Sequence, residues 1–169
     1  SKILRKDNQL IILRTSWLIS PFGKNFLLTI LNLLNTKDKI EVVDDQFGSP
    51  TSTFSLSEII WKLIEKNNES SLINRKLPNV FHWSEEGTIS WYELALAIKK
   101  ISQELNLIKN PADILPISSK EYRFKAERPL YSVLDCKDTE KLLKIKRPNW
   151  ESSVKKILKY ISKNNSELI

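Results

Sequence analysis

The chain has 169 residues, of which 41% are hydrophobic and 28% charged, and it carries a net charge of +7. That length and balance suit one ordinary domain with a real core, and they exclude both a disordered chain and a string of large domains. The positive charge alone would suit nucleic acid, but the lysines are scattered and the densest group, residues 137–147, alternates with leucines as a helix face does, so no nucleic-acid partner is expected.

In chain order, residues 1–9 are charged and read as a lead-in. Leu10-Ile11-Ile12-Leu13 is a continuous apolar run, the mark of a strand buried on both faces of a parallel sheet. It leads into Arg14-Thr15-Ser16-Trp17, and Ser20-Pro21-Phe22-Gly23 is a turn. Asn25 begins a helix over residues 26–34, whose apolar positions 26, 27, 30, 31 and 34 share one face. A second strand ends at Val43, and the two strands with the helix between them predict a βαβ-like unit.

Val42 to Thr51 is the stretch around which the rest is arranged: a strand end, two carboxylates, an amide, then Gly48, Ser49 and Pro50. Open α/β sheets place ligand-binding loops at such strand ends. Adjacent carboxylates on an extended chain point to opposite sides, so Asp44 and Asp45 read as structural and not as a metal or acid–base pair.

Ser57 is expected to cap a helix over residues 57–67 with Ile59, Ile60, Leu63 and Ile64 inward, followed by a polar loop over residues 67–76. Val80 to Trp83 is a short aromatic strand. Ser90 and Glu93 match a capping box for a helix reaching Leu105, with Leu94, Ala97, Ile98 and Ile101 on its inner face. Ile114 to Ile117 and Tyr131 to Leu134 are extended, on either side of an irregular stretch over residues 118–130. A short helix begins at Asp138 or Thr139, and a last one covers residues 150–161. The lone His82 has no partner at metal-ligand spacing and reads as structural, and Cys136 reads as a small buried residue.

No apolar run approaches the roughly 20 residues of a membrane helix. The single cysteine excludes an internal disulfide framework and suits a reducing, cytoplasmic compartment. The chain has no methionine, which suggests an internal segment of something longer. Its three glycines, Gly23, Gly48 and Gly87, lie too far apart for a dinucleotide fingerprint or a phosphate loop.

Five motifs occur together in order: Ile12-Leu13-Arg14-Thr15-Ser16-Trp17, Gly23-Lys24-Asn25-Phe26, Val42 to Thr51, Ser90-Trp91-Tyr92-Glu93, and Arg128-Pro129 with Tyr131-Ser132-Val133-Leu134-Asp135. The set resembles the C-terminal half of the dTDP-4-dehydrorhamnose reductases, which belong to the extended short-chain dehydrogenase/reductase family. The resemblance implies an α/β fold made of an incomplete Rossmann sheet plus a substrate-binding domain over residues 10–169, with the N-terminal cofactor-binding half absent. It implies NADPH or NADH as cofactor of the complete enzyme, a dTDP-sugar substrate, and reduction of the 4-keto sugar. It places Trp17, Asn25, Phe26, Gln46, Ser49, Thr51 and Arg128 in the substrate site, with Arg128 on the diphosphate. The family's catalytic Tyr-x-x-x-Lys pair is missing: Tyr92, Tyr122, Tyr131 and Tyr160 are followed four residues on by Leu96, Ala126, Asp135 and Asn164. No catalytic residue is therefore assigned, and the chain is expected to be inactive alone. A separate N-terminal half and a second copy of the chain stand as its partners. The alternative is a non-catalytic relative that binds a protein partner, like the regulatory subunit of methionine adenosyltransferase.

Overall fold

A computed structural model describes residues 10–72, 78–122 and 128–164. The elements are β1 (Ile12–Thr15), β2 (Leu18–Ile19), α1 (Phe26–Thr36), β3 (Lys39–Val43), β4 (Phe47–Gly48), β5 (Thr51–Ser52), α2 (Thr53–Leu72), β6 (Val80–Trp83), β7 (Ile89–Ser90), α3 (Trp91–Glu104), β8 (Asp113–Ile117), α4 (Lys137–Leu143) and α5 (Trp150–Lys163). The strands pair two by two. β1 runs parallel to β6, β2 to β5 and β3 to β8, while β4 and β7 are antiparallel. An α/β class is thus observed, but β1 and β3 lie in different sheets and do not form the expected βαβ-like unit. Each pairs instead with a strand far along the chain, Ile12 with Val80 and Lys39 with Asp113 at the start of the two registers.

The main core lies among α1, α3 and α5, where Leu27, Ile30 and Leu34 meet Leu94, Ile98, Ile157 and Leu158. The α3 helix turns Ala95 inward, and Ala97 is half-buried. Its start is the expected capping box: Ser90 Oγ accepts from the Glu93 amide at 3.1 Å, and the Glu93 carboxylate accepts from the Ser90 amide at 2.7 Å. Such a cap contributes about 1 kcal/mol.

A second core joins Ile59 and Leu63 of α2 to Phe81 and Trp83 of β6, with Leu13, Leu142 and Leu143 against it. Here five expectations need correction. The α2 helix begins at Thr53, not at Ser57, whose hydroxyl instead donates to the Phe54 carbonyl within the first turn. It continues to Leu72, into the stretch over residues 67–76 expected to loop, of which residues 73–76 lie outside the described residues. Ile60 and Ile64 are 44% and 43% exposed, because one helix face alone reaches β6. Strand β1 starts two residues later than its apolar run, and none of its residues is fully buried. Leu13 packs on the second core while Ile12 faces out, so this pair of strands is covered on one side. The Tyr131–Leu134 stretch makes a single parallel bridge, Phe47 to Tyr131, rather than a strand.

Candidate functional site

The site begins where β3 ends. The Asp44 amide continues the ladder to the Ile117 carbonyl at 3.0 Å. The two carboxylates then diverge, as the period-2 backbone predicts. Asp44 accepts from the Ser90 hydroxyl at 2.7 Å, which ties the strand end to the start of α3. Asp45 turns the other way and accepts from Ser118 and Ser119. Partial burial raises the Asp45 pKa, but the hydrogen bonds from Ser119 and Ser118 outweigh it and hold the carboxyl below its ordinary value. Both acids are structural anchors, and the described residues hold no group of three metal-ligating side chains.

Beside this strand end lies a cavity of about 300 Å³, lined by Phe26, Thr29, Ile30 and Leu33 of α1, Glu41, Val42 and Val43 of β3, Trp91, Tyr122 and Arg128. Its lining is mostly apolar, with Arg128, Tyr122, Glu41 and Thr29 as the polar residues. That is the composition of a site for a flat ring joined to an anionic group. The volume sits at the low end of small-molecule sites. A larger, more open concavity lined by Lys37, Lys99 and Lys109, and an apolar one between α1 and α5, contain none of the expected site residues.

Two of the seven expected residues, Phe26 and Arg128, line the cavity. Trp17 stands behind it. Its indole stacks on Trp91, ring centroids 3.6 Å apart and planes 13° from parallel, and Phe26 packs at 4.5 Å on the same Trp91. On the Trp17 ring sits Gly48, where an added Cβ would stand 2.5–2.8 Å from three indole atoms. Trp17 also has a left-handed backbone, φ 45°, which bends the chain between β1 and β2. Asn25 is the N-cap of α1: its Oδ1 accepts from the Leu28 amide and its Nδ2 donates to the Ser20 and Phe22 carbonyls. It therefore fixes the helix that carries Phe26. Gln46, Ser49 and Thr51 are buried in the loop after β3. The Ser49 hydroxyl donates to the Gly87 carbonyl at 2.5 Å and the Thr51 hydroxyl to the Trp83 carbonyl at 3.5 Å, so both hold the loop to the β6–β7 connection.

Sequence reasoning did not single out Trp91, Tyr122 or Glu41 as cavity residues. The signal for Trp91 was its place directly after the Ser90 cap, where α3 emerges beside the strand ends. Glu85 was missed as well. It is fully buried, its Oε1 accepts from the Ser52 amide at 2.9 Å and the Ser55 hydroxyl at 2.8 Å, and its Oε2 has no hydrogen-bond partner among the described residues. Burial pushes its pKa up. The Ser52 and Ser55 bonds, the nearby Ser153 hydroxyl and the Arg147 charge offset only part of this. Glu85 does not line the cavity. His82 Nδ1 lies 3.2 Å from the Asp135 carbonyl while its Nε2 is buried without a hydrogen-bond partner among the described residues, and Cys136 is buried at the start of α4.

Gly48 is covered by Trp17 and Gly87 by Trp150. Gly23 has open space around it, but the helix start it precedes is capped by Asn25.

A family model described as the RmlD substrate binding domain matches residues 1–163. A dTDP-4-dehydrorhamnose reductase of Sinorhizobium fredii is 35% identical over 147 residues, which cover 87% of this chain and 48% of the relative. The spore coat polysaccharide biosynthesis protein SpsK of Bacillus subtilis is 36% identical over 157 residues, 93% of this chain and 49% of the relative. Among solved structures, a dTDP-4-dehydrorhamnose reductase from Clostridium acetobutylicum superposes with a TM-score of 0.74 at 31% identity, covering 89% of this chain and 48% of that one. One from Bacillus anthracis, in complex with NADP, gives 0.71 at 31% identity over 90% and 49%. The chain spans about half the length of the curated relatives it matches. No helix among the described residues is long and apolar enough to cross a membrane.

Proposed function

The chain belongs to the family of RmlD substrate binding domains, and from that premise we propose that it is the substrate-holding half of a dTDP-4-dehydrorhamnose reductase, binding a dTDP-sugar in the cavity between α1, β3 and α3. The observation that carries the proposal is the convergence of Phe26, Trp91 and Arg128 on one cavity. Each supplies what the ligand class needs. Phe26 and the edge of Trp91 offer aromatic surface to a pyrimidine ring, the faces of Trp91 being taken by Trp17 and Phe26. The Arg128 guanidinium pairs with diphosphate oxygens in fork geometry, which a lysine does not reproduce. Trp17 backs Trp91 and Asn25 sets the α1 axis; Ser49 and Thr51 hold the loop that seats Trp17, in which Gln46 is buried.

In this reading the nicotinamide dinucleotide, NADPH or NADH, is held elsewhere. The Tyr-x-x-x-Lys pair and a glycine-rich turn are both missing from the sequence, so hydride transfer awaits an N-terminal half. The exposed Ile12 and Val80 on the β1–β6 pair, with Leu10 exposed just before it, support such a partner, since apolar strand faces are normally covered. The same reading puts the protein in the cytoplasm, and the single buried Cys136 supports it.

Calorimetric titration of dTDP into the purified chain tests the proposal. Saturable binding is expected, weakened about tenfold or more by Arg128→Ala because a charge-assisted hydrogen bond to phosphate is worth roughly 1.5–3 kcal/mol. Trp91→Ala is expected to weaken it as well. A folded chain that ignores dTDP, or one whose affinity is untouched by both substitutions, would remove this reading.

A further inference from the structure

One side of the cavity is closed by two stretches of chain, one bearing Tyr122 and the other Arg128. Both are fastened to the same short span after β3. Asp45 holds the first. Its carboxylate accepts from the Ser118 hydroxyl at 3.2 Å, from the Ser119 amide at 2.9 and 3.0 Å, and from the Ser119 hydroxyl at 2.9 Å. The turn that follows is built on Ser118. Its carbonyl accepts from the Glu121 amide at 3.0 Å and the Tyr122 amide at 3.3 Å, and its own amide donates to the Glu121 carboxylate at 2.9 Å. Phe47 holds the second stretch: its amide donates to the Leu130 carbonyl at 2.7 Å, and its carbonyl accepts from the Ser132 amide at 2.9 Å.

The two anchors differ in kind. Those at Phe47 run through its backbone, so almost any residue there could make them. Those at Asp45 run entirely through the side chain. An ionised carboxylate offers two acceptor oxygens, and hydrogen bonds to it are stronger than those between neutral groups. Asn at this position would offer one acceptor and would turn an NH₂ group toward donors. Asp44 does not compete for the same partners, being bonded to Ser90.

We propose that Asp45 is a positioning residue for the cavity: by gathering Ser118 and Ser119 it sets where Tyr122 stands in the cavity wall, and so sets affinity for the ligand without touching it. This rests on the reading of the cavity as a dTDP-sugar site. Sequence alone gives Asp45 a structural role; the contact with the Tyr122 turn, 73 and 74 residues along the chain, joins that role to the cavity.

The experiment compares the parent chain with Asp45→Asn and Asp45→Glu by three readouts: amide hydrogen exchange at residues 118–122, hydroxyl-radical footprinting read at Tyr122, and dTDP titration. Asp45→Asn is expected to speed exchange at Ser119 and change Tyr122 oxidation. It should weaken dTDP binding by roughly 2- to 30-fold, the range for residues that act on a site without contacting its ligand, while leaving exchange in α3 and α5 unchanged. Asp45→Glu, which keeps the carboxylate, is expected to recover part of each effect. Unchanged exchange and footprinting in Asp45→Asn would overturn the proposal. So would altered exchange with an unaltered dTDP affinity, which would reduce Asp45 to a local clamp. If the parent chain itself ignores dTDP, the reading of the site fails. The placement of Tyr122 by Asp45 is then decided by exchange and footprinting alone.

Discussion

Replacing Gly48 with Ala tests the aromatic stack directly. A Cβ at this position would lie 2.5 Å from Cε2, 2.6 Å from Cζ2 and 2.8 Å from Nε1 of Trp17. Carbon contacts this short are not sustained, so the Trp17 ring must move. It cannot slide freely, because Trp91 is stacked on it at 3.6 Å and Phe26 is packed on Trp91. Overpacking of this kind costs about 1–3 kcal/mol. Replacing Gly with Ala also restricts the unfolded chain, which offsets about 0.4–1 kcal/mol. The net loss is about 0–2.6 kcal/mol, and at roughly 2–4 °C per kcal/mol for a chain of this length the melting temperature falls by up to roughly 10 °C. Thermal melts followed by circular dichroism would measure it, and the paired far-ultraviolet bands of two stacked indoles should weaken alongside. The same substitution in a Trp17→Leu background should cost clearly less, since the smaller side chain leaves room for the methyl group. An equal cost in both backgrounds, or an unchanged melt and indole signal, would refute the reasoning.

The buried Glu85 gives a pH dependence of defined sign. Its folded pKa lies above the ordinary 4.5, so between those two values the folded state keeps a proton that the unfolded state has released. Its contribution is fully present below the ordinary value and is lost as pH rises through the folded one. Glu85→Gln is expected to flatten that part of the stability curve in denaturant melts taken at a series of pH values, and an identical slope would count against the assignment. Ser90→Ala removes a cap and also strips Asp44 of its donor, so a loss of about 1–3 kcal/mol in chemical melts is expected; a loss below 0.5 kcal/mol, the approximate scatter of surface changes, would mean that water replaces both bonds. Trp61 is 66% exposed on α2, so Trp61→Glu should change stability by no more than about 0.5 kcal/mol while lowering light scattering of the concentrated chain. A large fall in stability would show that this face is already packed.

What sequence settled about this chain was local. The 3.6-residue spacing put Leu27, Ile30 and Leu34 on the inner face of α1, and the Ser90–Glu93 pair marked the start of α3, because helix faces and caps depend on residues a few positions apart. The opposite turning of Asp44 and Asp45 follows from the alternation of an extended backbone, and Phe26 and Arg128 were found through motifs shared with a family. The tertiary structure decided what depends on distant partners. Helix α2 starts at Thr53 and not at Ser57: the Ser52 hydroxyl accepts from the Phe54 amide, and the Glu85 carboxylate takes the Ser52 amide and Ser55 hydroxyl. That carboxylate arrives from 33 residues away. Strand β1 pairs with β6 rather than β3, and the indole of Trp17 stacks on Trp91, 74 residues along the chain. Spacing along a chain cannot encode these choices, because each is made by whichever surfaces, once folded, exclude water and satisfy buried polar groups together.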